Sequence, residues 1–364
     1  MGKLFFLATI TLAAVTWAVG GCPPSDRAAL LSLKASLSEP YLGMFDSWTG
    51  TDCCKNWYGV SCDPTTGRVA DLNLRGESED PLISRAGRSG FMTGSLSPDI
   101  CRLDRLQTLV VADWKGISGP IPPCITSLSY LRILDLIGNK ISGQIPADIG
   151  NLRRLVVLNV ADNEISGAIP GSIVNLAWLM HLDMRNNRIA GTIPGDFGKL
   201  GMLSRALLSR NQIGGSIPES ISKMYRLADL DLSMNRISGS IPAGLGKMPV
   251  LSTLNLDSNQ ISGSIPDSVI SSGLNIVNLS RNSIQGNVPD VFGPKSYFTA
   301  LDLSYNNLKG PAPKSVASAK YIGHLDLSHN HLCGSIPSGP PYDRLEASSF
   351  SNNDCLCGWP LKSC

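Results

Sequence analysis

Charged residues are scarce in this chain, and positive and negative charges nearly cancel. Asp, Glu, Lys and Arg make up 16% of the sequence and leave a net charge of +2, whereas about a quarter of an average soluble protein is charged. Binding of nucleic acid requires a concentrated basic surface. Because the sequence contains no basic stripe, the charge pattern argues against a nucleic-acid partner.

Motifs for nucleotide binding and for common hydrolytic chemistry are also missing. The sequence contains no GxxxxGK[ST] loop, no GxSxG elbow and no paired CxxC sets for zinc. Histidine occurs only four times. His324 and His329 flank Asp326 at a spacing that a metal could accept, but exposed strand side chains are the preferred interpretation. We therefore expect a non-enzymatic protein without a cofactor, a metal or a nucleotide.

A long apolar run occurs only at the N-terminus. Lys3 is followed by apolar or small residues over 4–19, and Ala18 and Gly20 form a small-x-small cleavage pattern. The run is shorter than the ~20 residues of a membrane span, and it lacks the Arg and Ser enrichment of a plastid transit peptide. The pattern predicts a signal peptide over residues 1–20, no transmembrane segment, and secretion to the extracellular space or the cell wall.

Glycine and proline are abundant, with 36 and 24 residues, and both recur at a fixed period. The segment LRILDLIGNKISGQIPADIGNL at 131–152 returns along the chain around a central asparagine, which we call the marker asparagine. The marker asparagines are Asn139, Asn163, Asn187, Asn211, Asn235, Asn259, Asn282, Asn306 and Asn330. Their intervals are 24 residues seven times and 23 once. With degenerate copies at 106–122 and from Val69, we count about eleven turns.

Each residue type of the repeat has a physical role. Leu134 and Leu136 alternate with polar residues, which predicts a short strand with one buried face, and stacked turns pair such strands in parallel about 4.8 Å apart. An inward marker asparagine can satisfy backbone groups at the bend. The next glycine suits a tight reversal, and the proline of each Ile-Pro favours a short edge strand and then a helical or 3₁₀ turn on the convex side. A single turn cannot bury its leucines alone, so the ends need caps.

The ten cysteines, an even number, indicate an oxidising compartment and stapled ends. Four lie at the front, four lie at the back and two lie between them: Cys22, Cys53, Cys54 and Cys62; Cys333, Cys355, Cys357 and Cys364; Cys101 and Cys124. The segment SDRAALLSLKASL, from Ser25, predicts an amphipathic helix with Ser or Asp at its start. We assign an N-terminal cysteine-rich cap to 21–65, repeats to 66–332 with an inserted surface loop at 75–94, and a C-terminal cysteine-rich cap to 333–364.

The pattern LxxLxLxxNxLSGxIP resembles the plant extracellular leucine-rich-repeat class, whose members include receptor-kinase ectodomains and polygalacturonase inhibitors. The resemblance covers nearly all residues after the expected signal peptide. It implies an α/β solenoid, a right-handed superhelix with a parallel concave β-sheet, 3₁₀ or short helices on the convex side and disulfide-capped ends. It also implies the disulfides Cys22–Cys53, Cys54–Cys62, Cys333–Cys355 and Cys357–Cys364, which leaves Cys101 to pair with Cys124.

Five stretches depart from the repeat consensus and resemble a soluble plant member of this class. They are RGESED at 75–80, AGRSG at 86–90, VADWKGISG at 111–119, MLSRALLSRN at 202–211 and DVFGPKSYF at 290–298. The name of that relative implies a role in tolerating DNA damage, and such proteins are assigned to the chloroplast. The resemblance adds this function and this location as alternatives, although the residues themselves suggest no mechanism for them.

Off-pattern side chains on neighbouring strands are the candidate partner-binding residues of the concave face. They are His181, Asp183, Arg185, Arg205, Leu207, Arg210, Asp229, Asp231 and Asp257. A basic patch beside an acidic one suits a protein or peptide partner, such as a wall-degrading enzyme or a receptor ectodomain, because charge complementarity sets specificity and association rate. A solvated face without a partner stays open as the alternative. The favoured function is therefore a secreted, non-enzymatic binding protein, and inhibition of polygalacturonase is a further alternative.

Two further features of the concave strands concern access to this face. Asp or Asn recurs four residues before most marker asparagines, as at Asp135 and Asp302. A ladder of acids suggests a cation site, but we interpret it as the repeat's own pattern, facing solvent. Asn278 begins a glycosylation sequon with Leu279 and Ser280. A glycan on Asn278 would block the concave face locally and place the partner toward the N-terminal two-thirds.

Overall fold

The computed structural model describes residues 21–77, residue 83 and residues 90–364. Over these residues the chain forms a solenoid whose successive turns pair in one long, almost entirely parallel sheet. The expected fold class is therefore confirmed. The expected signal peptide, and residues 78–82 and 84–89 of the expected loop, lie outside the described residues.

The concave sheet contains twelve strands from the described part of the chain, which follow one another in sequence order. They are β1 Val60–Cys62, β2 Val69–Arg75, β3 Thr108–Ala112, β4 Ile133–Asp135, β5 Val157–Asn159, β6 His181–Asp183, β7 Arg205–Leu207, β8 Asp229–Asp231, β9 Thr253–Asn255, β10 Ile276–Asn278, β11 Ala300–Asp302 and β12 Leu325–Asp326. Strand β1 belongs to the N-terminal cap and runs antiparallel to β2. The other strands are parallel.

Shorter sheets lie beside the concave sheet; most of their strands follow the reversal after a concave strand, whereas Tyr297–Phe298 and Tyr321–Ile322 precede β11 and β12. Their strands are Leu37–Ser38, Met92–Ser95, Lys115–Pro120, Lys140–Gln144, Glu164–Ala168 and Arg188–Ala190; Ser238–Gly239 and Gln260–Ile261; Gln285–Asn287, Asn307–Gly310, His331–Ser335 and Cys355–Cys357; Tyr297–Phe298 and Tyr321–Ile322. Both ends of the expected loop at 75–94 thus lie in strands: Arg75 is the last residue of β2, and Met92 is the first residue of the next strand.

Short helices complete the turns. The α-helices are α1 Pro24–Ser36 and α2 Asp267–Ile270. The 3₁₀ helices are Pro98–Arg102, Pro123–Ser127, Ile149–Asn151, Gly171–Asn175, Phe197–Lys199, Glu219–Lys223, Ala243–Lys247, Lys314–Ser318, Tyr342–Arg344 and Ala347–Phe350. In the described part of the chain, no helix has both the length and the apolar character needed to cross a membrane.

The marker asparagines connect each turn to the turn before it. The Asn163 amide donates to the carbonyl of Leu136 one turn earlier at 2.9 Å, and to Val160 and Ala161 in its own turn at 3.2 and 2.9 Å. Its Oδ1 accepts from the Ile141 amide at 2.9 Å. One side chain thus satisfies four backbone groups, which confirms the predicted role of the marker asparagine.

The N-terminal cap covers the first turn with apolar and aromatic side chains. Trp48 and Trp57 stack with ring centroids 5.2 Å apart, and both are almost fully buried. Asp26 was a candidate for the helix start, but α1 has no side-chain cap. The carboxylate is instead fully buried and accepts from the Arg68 guanidinium and from the Val69 amide at 3.0 Å. It therefore ties α1 to strand β2.

The C-terminal cap continues the solenoid. The expected boundary at 332/333 falls inside the strand His331–Ser335, which pairs in parallel with Cys355–Cys357. Asn353 makes the contacts of a marker asparagine, because its amide donates to the Leu327 and Phe350 carbonyls and its Oδ1 accepts from Leu332. The sequence analysis missed this position, although it lies 23 residues after the previous marker.

Five disulfides are present: Cys22–Cys53, Cys54–Cys62, Cys101–Cys124, Cys333–Cys355 and Cys357–Cys364. Two lie in the N-terminal cap, two lie in the C-terminal cap, and one joins the first two 3₁₀ helices. Disulfide capping at both ends of the solenoid is thereby confirmed. Each bridge restricts the unfolded chain and favours the folded stack.

Candidate functional site

A depression of ≈ 530 Å³ lies on the concave sheet, at the carboxyl ends of strands β5 to β9. It is lined by Asp162, Arg185, Asn186, Ser209, Arg210, Asp231, Ser233, Met234, Asn255 and Asp257. Four candidate residues, Arg185, Arg210, Asp231 and Asp257, therefore meet there. The remaining five lie on the neighbouring strands β6, β7 and β8.

His181, Arg205 and Asp229 form one row across these strands. They are register partners on β6, β7 and β8. The Arg205 guanidinium donates to Asp229 at 3.0 Å, and the two side chains are 51% and 33% exposed. An exposed pair of this kind contributes less than about 1 kcal/mol. Both charges can therefore exchange this contact for one with a partner at little cost.

Asp183 differs from the sequence-based expectation that the strand acids face solvent. Only 3% of the residue is exposed. Its carboxylate accepts from the Arg185 amide at 3.1 Å and from the Arg185 guanidinium at 2.8 Å. This hydrogen bond raises the pKa of Arg185 above its usual value. Asp183 thus positions Arg185 at the wall of the depression and does not itself offer a free charge.

The other strand acids also bind their own backbone. Asp231 accepts from the Ser233 amide at 3.0 Å and from the Ser233 hydroxyl at 2.7 Å. The same contacts join Asp302 to Ser304. The interpretation as part of the repeat therefore holds, but the outward direction was wrong for the buried members Asp135 and Asp183. The physical reason is the amide two residues later, which would otherwise lack an acceptor at the bend.

Leu207 is the second candidate that offers little surface. It stands where the two neighbouring strands carry an aspartate, and only 7% of the residue is exposed. It lies between Asp183 and Asp231 in the register. Leu207 therefore separates two carboxylates with an apolar side chain and offers a partner little direct contact.

His181 is half-buried at the start of β6. Burial lowers the pKa of its imidazole from the usual 6.5; Asp183 opposes this effect, and Arg205 and Arg185 add to it. The side chain is therefore neutral over more of the acidic range than a free histidine.

We expect the native His181 ring to titrate at a lower pH than the same ring in the urea-unfolded chain. The folded state then binds fewer protons than the unfolded state, so the stability due to this group is present above the unfolded pKa and decreases as the pH falls through it. NMR titration of the ring Cε1–H signals, assigned with His181→Gln, measures both midpoints. A native midpoint equal to or above the unfolded one would contradict this expectation.

Six lining residues were not among the sequence-based candidates, and three of them, Asp162, Asn186 and Met234, share one position in the repeat. Each stands directly before a marker asparagine and has a left-handed backbone, with φ of 55°, 52° and 54°. Arg210 occupies the same place in its turn, with φ of 56°. Met234 is 43% exposed and adds an apolar contact to a polar site. The signal was available, since this position precedes every marker asparagine.

Asn278, the expected glycosylation site, lies next to the depression. It is half-buried on β10, in register with the lining residue Asn255 on β9. Its Oδ1 accepts from the Ser280 amide at 3.0 Å and from the Ser280 hydroxyl at 2.7 Å. Glycosylation of Asn278 remains a prediction, and a glycan there would cover the C-terminal side of the depression.

The histidines near the C-terminus make local polar contacts. His331 Nδ1 lies 3.0 Å from Asp354 Oδ1, and His329 Nε2 lies 2.9 Å from the Asn352 amide nitrogen. Among the described residues, the group of ligand atoms close enough to share a metal is that of Cys22, Cys53 and Cys54. All three sulfurs belong to disulfides.

Family models match both parts of this architecture. The model of the leucine rich repeat N-terminal domain matches residues 23–63. The leucine rich repeat model matches residues 130–152, 154–176, 178–200, 226–248, 250–271 and 322–342. The turn that contributes Arg205, Leu207 and Arg210 lies between matched segments, in agreement with its departure from the consensus.

Two curated relatives share about a third of the chain. The Arabidopsis thaliana protein "DNA damage-repair/toleration protein DRT100" is 59% identical over 136 residues, which is 37% of this chain and 37% of the relative. The Vitis vinifera "Polygalacturonase inhibitor" is 33% identical over 142 residues, or 37% of this chain and 38% of the relative. The alignments thus span little more than a third of either relative's length.

Solved structures with similar folds cover most of the chain. The ectodomain of the Arabidopsis thaliana receptor kinase GASSHO1/SCHENGEN3, in complex with CASPARIAN STRIP INTEGRITY FACTOR 2, has a TM-score of 0.72 and 28% identity over 91% of this chain and 41% of that one. A plant ice-binding protein has a TM-score of 0.68 and 26% identity over 95% of this chain and 99% of that one.

Proposed function

The chain is a leucine-rich-repeat protein with a leucine-rich-repeat N-terminal domain, and we propose that it is a secreted, non-enzymatic protein that binds a protein or peptide on its concave face. The observation that carries the proposal is the depression at the ends of β5 to β9. Arg185 and Arg210 contribute positive charge to it, Asp231 and Asp257 contribute negative charge, and Met234 adds an apolar contact. A partner with both signs of charge fits such a surface.

The hydrogen bonds of the two aspartates in the depression favour a binding role over hydrolysis. Hydrolysis by two carboxyl groups needs one of them with a raised pKa in a dry cleft. The carboxylates of Asp231 and Asp257 instead accept hydrogen bonds from Ser233 and Ser280, and the site is open to solvent. Similarity to a polygalacturonase inhibitor and to a receptor-kinase ectodomain in complex with CASPARIAN STRIP INTEGRITY FACTOR 2 supports a wall-degrading enzyme or a receptor-associated protein or peptide as the ligand class.

We expect Arg210→Asn to weaken binding of the concave ligand about tenfold or more. Arg210 is exposed, and no ion pair holds it among the described residues. Interface arginines often contribute 2 kcal/mol or more, which is about 30-fold in affinity. Asparagine tolerates the left-handed backbone at this position, and Asn186 shows the same conformation one turn earlier. The variant therefore removes the charge without a new backbone strain.

Affinity capture with the mature protein, from plant secretions and with defined polygalacturonases as probes, identifies the ligand for this measurement. Titration calorimetry then compares wild type with Arg210→Asn and with Arg188→Gln, a control in the strand after the reversal, where Arg188 pairs with Glu164 and does not line the depression. Equal affinity for all three proteins, or retention of no protein or peptide, would refute the concave site.

A second candidate function rests on the 59% identity to a protein named for DNA-damage repair or toleration. It would place the chain in the nucleus or the chloroplast. A fluorescent fusion at the native locus, combined with thiol alkylation of the ten cysteines, distinguishes the two candidates. Extracellular signal with all cysteines blocked as disulfides supports the first candidate, and organellar signal with free thiols supports the second.

A further inference from the structure

A second row of side chains lies at the edge of the solenoid, where each turn enters its concave strand, and all of its members except Tyr130 and Met202 are exposed. Its members each precede a buried leucine of the repeat, and we call them the edge ladder: Arg105, Tyr130, Arg154, Trp178, Met202, Arg226 and Val250. They recur at intervals of 25 residues once and 24 thereafter. With about 4.8 Å between neighbouring strands, the ladder extends for about 29 Å.

The first three members form a fixed cation–aromatic stack. The guanidinium groups of Arg105 and Arg154 lie on the Tyr130 ring, each 4.6 Å from its centroid. Arg105 Nη1 also donates to the Tyr130 hydroxyl at 2.6 Å. This stack holds the arginines without a carboxylate, so their charges are oriented in advance and remain available for a partner.

Large apolar side chains are exposed in and beside the middle of the ladder. Trp178 is 60% exposed, Met180 beside it is 40% exposed, and Tyr225 two turns later is 56% exposed. Arg226 lies 5.8 Å from the centroid of the Tyr225 ring. An isolated exposed apolar residue is ordinary, but Trp178 and Met180 are exposed together on one turn, and grouped apolar side chains of this kind indicate an interaction site. Trp, Tyr, Met and Arg are also the residues enriched at protein interfaces.

The charge of the edge ladder indicates what kind of partner it can bind. The ladder contains three arginines, and neither lysine nor any acid. None of the three arginines forms an ion pair with the residues that the structure describes. We propose that the edge ladder docks a second protein whose surface alternates carboxylates with apolar side chains. Its carboxylates pair with Arg105, Arg154 and Arg226, and its apolar groups pack on Trp178 and Met202.

Stacking geometry disfavours a single-stranded nucleic acid as the occupant. Such ligands stack their bases on successive free aromatic faces. The Tyr130 ring already contacts two guanidinium groups, each 4.6 Å from its centroid, which leaves Trp178 as the ring of the ladder that a base could use. The surface is also separate from the concave depression, so the proposal goes beyond the proposed function and does not depend on it.

Fluorescence anisotropy with a labelled twelve-residue peptide of alternating Glu and Leu tests the proposal, and a peptide of alternating Lys and Leu is its control. We expect the Glu peptide alone to bind. Trp178→Ala and Arg154→Gln should each weaken it about tenfold. Trp359→Ala, which changes a 73% exposed tryptophan in the C-terminal cap, and Arg188→Gln should leave the affinity within twofold of wild type.

Other outcomes would overturn the proposal. Equal binding of the Lys peptide, or unchanged binding by Trp178→Ala and Arg154→Gln, removes the edge ladder as the site. Tighter binding of an oligogalacturonate or an oligonucleotide of equal charge assigns the surface to a different class of ligand. Self-association of the wild type that Trp178→Ala abolishes makes the edge an interface between copies of this chain. Loss of peptide binding in Arg210→Asn would show that the concave face is the true site.

Discussion

Substitution of Asn187 by alanine is expected to destabilise the middle of the solenoid by about 3–5 kcal/mol, because each buried backbone group left unpaired costs about 1–3 kcal/mol. The Asn187 amide donates to the carbonyls of Val160, Met184 and Arg185 at 2.9, 3.2 and 3.1 Å. Its Oδ1 accepts from the Ile165 amide at 2.9 Å. Alanine supplies none of these contacts, and the side chain is too deeply buried for water to replace all of them.

Urea denaturation with disulfides intact, followed by hydrogen exchange, measures the effect. Repeat stacks are coupled mainly between neighbours, so exchange should accelerate first in peptides from the turns around β5 and β6 and least in the two caps. Asn175→Ala, which changes an exposed asparagine at the end of a 3₁₀ helix, should shift stability by less than about 0.5 kcal/mol. The two variants unfolding at the same urea concentration would contradict the predicted role of the marker asparagine.

The repeat period was sufficient to predict the stacking and its register. The single 23-residue interval lies between Asn259 and Asn282. The strands of these two turns show the same spacing, because Thr253 on β9 pairs with Ile276 on β10. The buried leucines and the inward asparagines follow from the same period, because every turn repeats one local arrangement. A pattern that repeats along the chain therefore determines what faces inward.

The candidate site was less predictable, because it depends on side-chain directions that the period does not encode. Arg185 reaches the depression because Asp183 holds it, and nothing in a strand pattern distinguishes a buried acid from an exposed one. Met234 is exposed and has a left-handed backbone. Before the marker asparagines, glycine occupies this left-handed position only at Gly138, so in the other turns the conformation is indicated by the place in the repeat and not by the residue type.

An ion pair between residues distant in sequence was a further source of error at the N-terminal cap. Asp26 has the sequence position of a helix cap, yet it binds Arg68 on the far side of the cap. The separation of 42 residues makes the pair invisible to local rules. The edge ladder escaped for the same reason, since Arg105, Tyr130 and Arg154 meet only when three turns are stacked.

Substitution of Trp114 by alanine is expected to cost about 3–5 kcal/mol, the usual range for a large buried aromatic side chain. Trp114 is fully buried, and its indole nitrogen donates to the Leu74 carbonyl at 3.0 Å. It stands in the degenerate turn, below the base of the inserted loop. There the Gly90 amide donates to the Gly76 carbonyl at 2.7 Å, and Gly76 donates to Ala112 at 2.8 Å.

The two glycines identify the contact that Trp114 makes with the loop base. A Cβ on Gly90 would lie 2.5 Å from the Trp114 ring, and a Cβ on Gly76 would lie 2.4 Å from the Asp113 carbonyl oxygen. Gly90→Ala should therefore destabilise the wild type by about 1–3 kcal/mol through overpacking. In the Trp114→Ala background the ring is absent, so the same substitution should cost less.

A double-mutant cycle of Trp114→Ala and Gly90→Ala, measured by urea denaturation, quantifies this coupling. Residues in contact commonly show interaction energies of about 0.5–3 kcal/mol, and here the double variant should be more stable than the sum of the single effects. Trp178→Ala, at an exposed position, provides a control with the same change in residue type and should alter stability by less than about 0.5 kcal/mol. If the two losses of stability simply add, Trp114 supports the first turn but not the base of the loop. If the double variant loses less than the sum, the ring lies between the two strands that the loop connects.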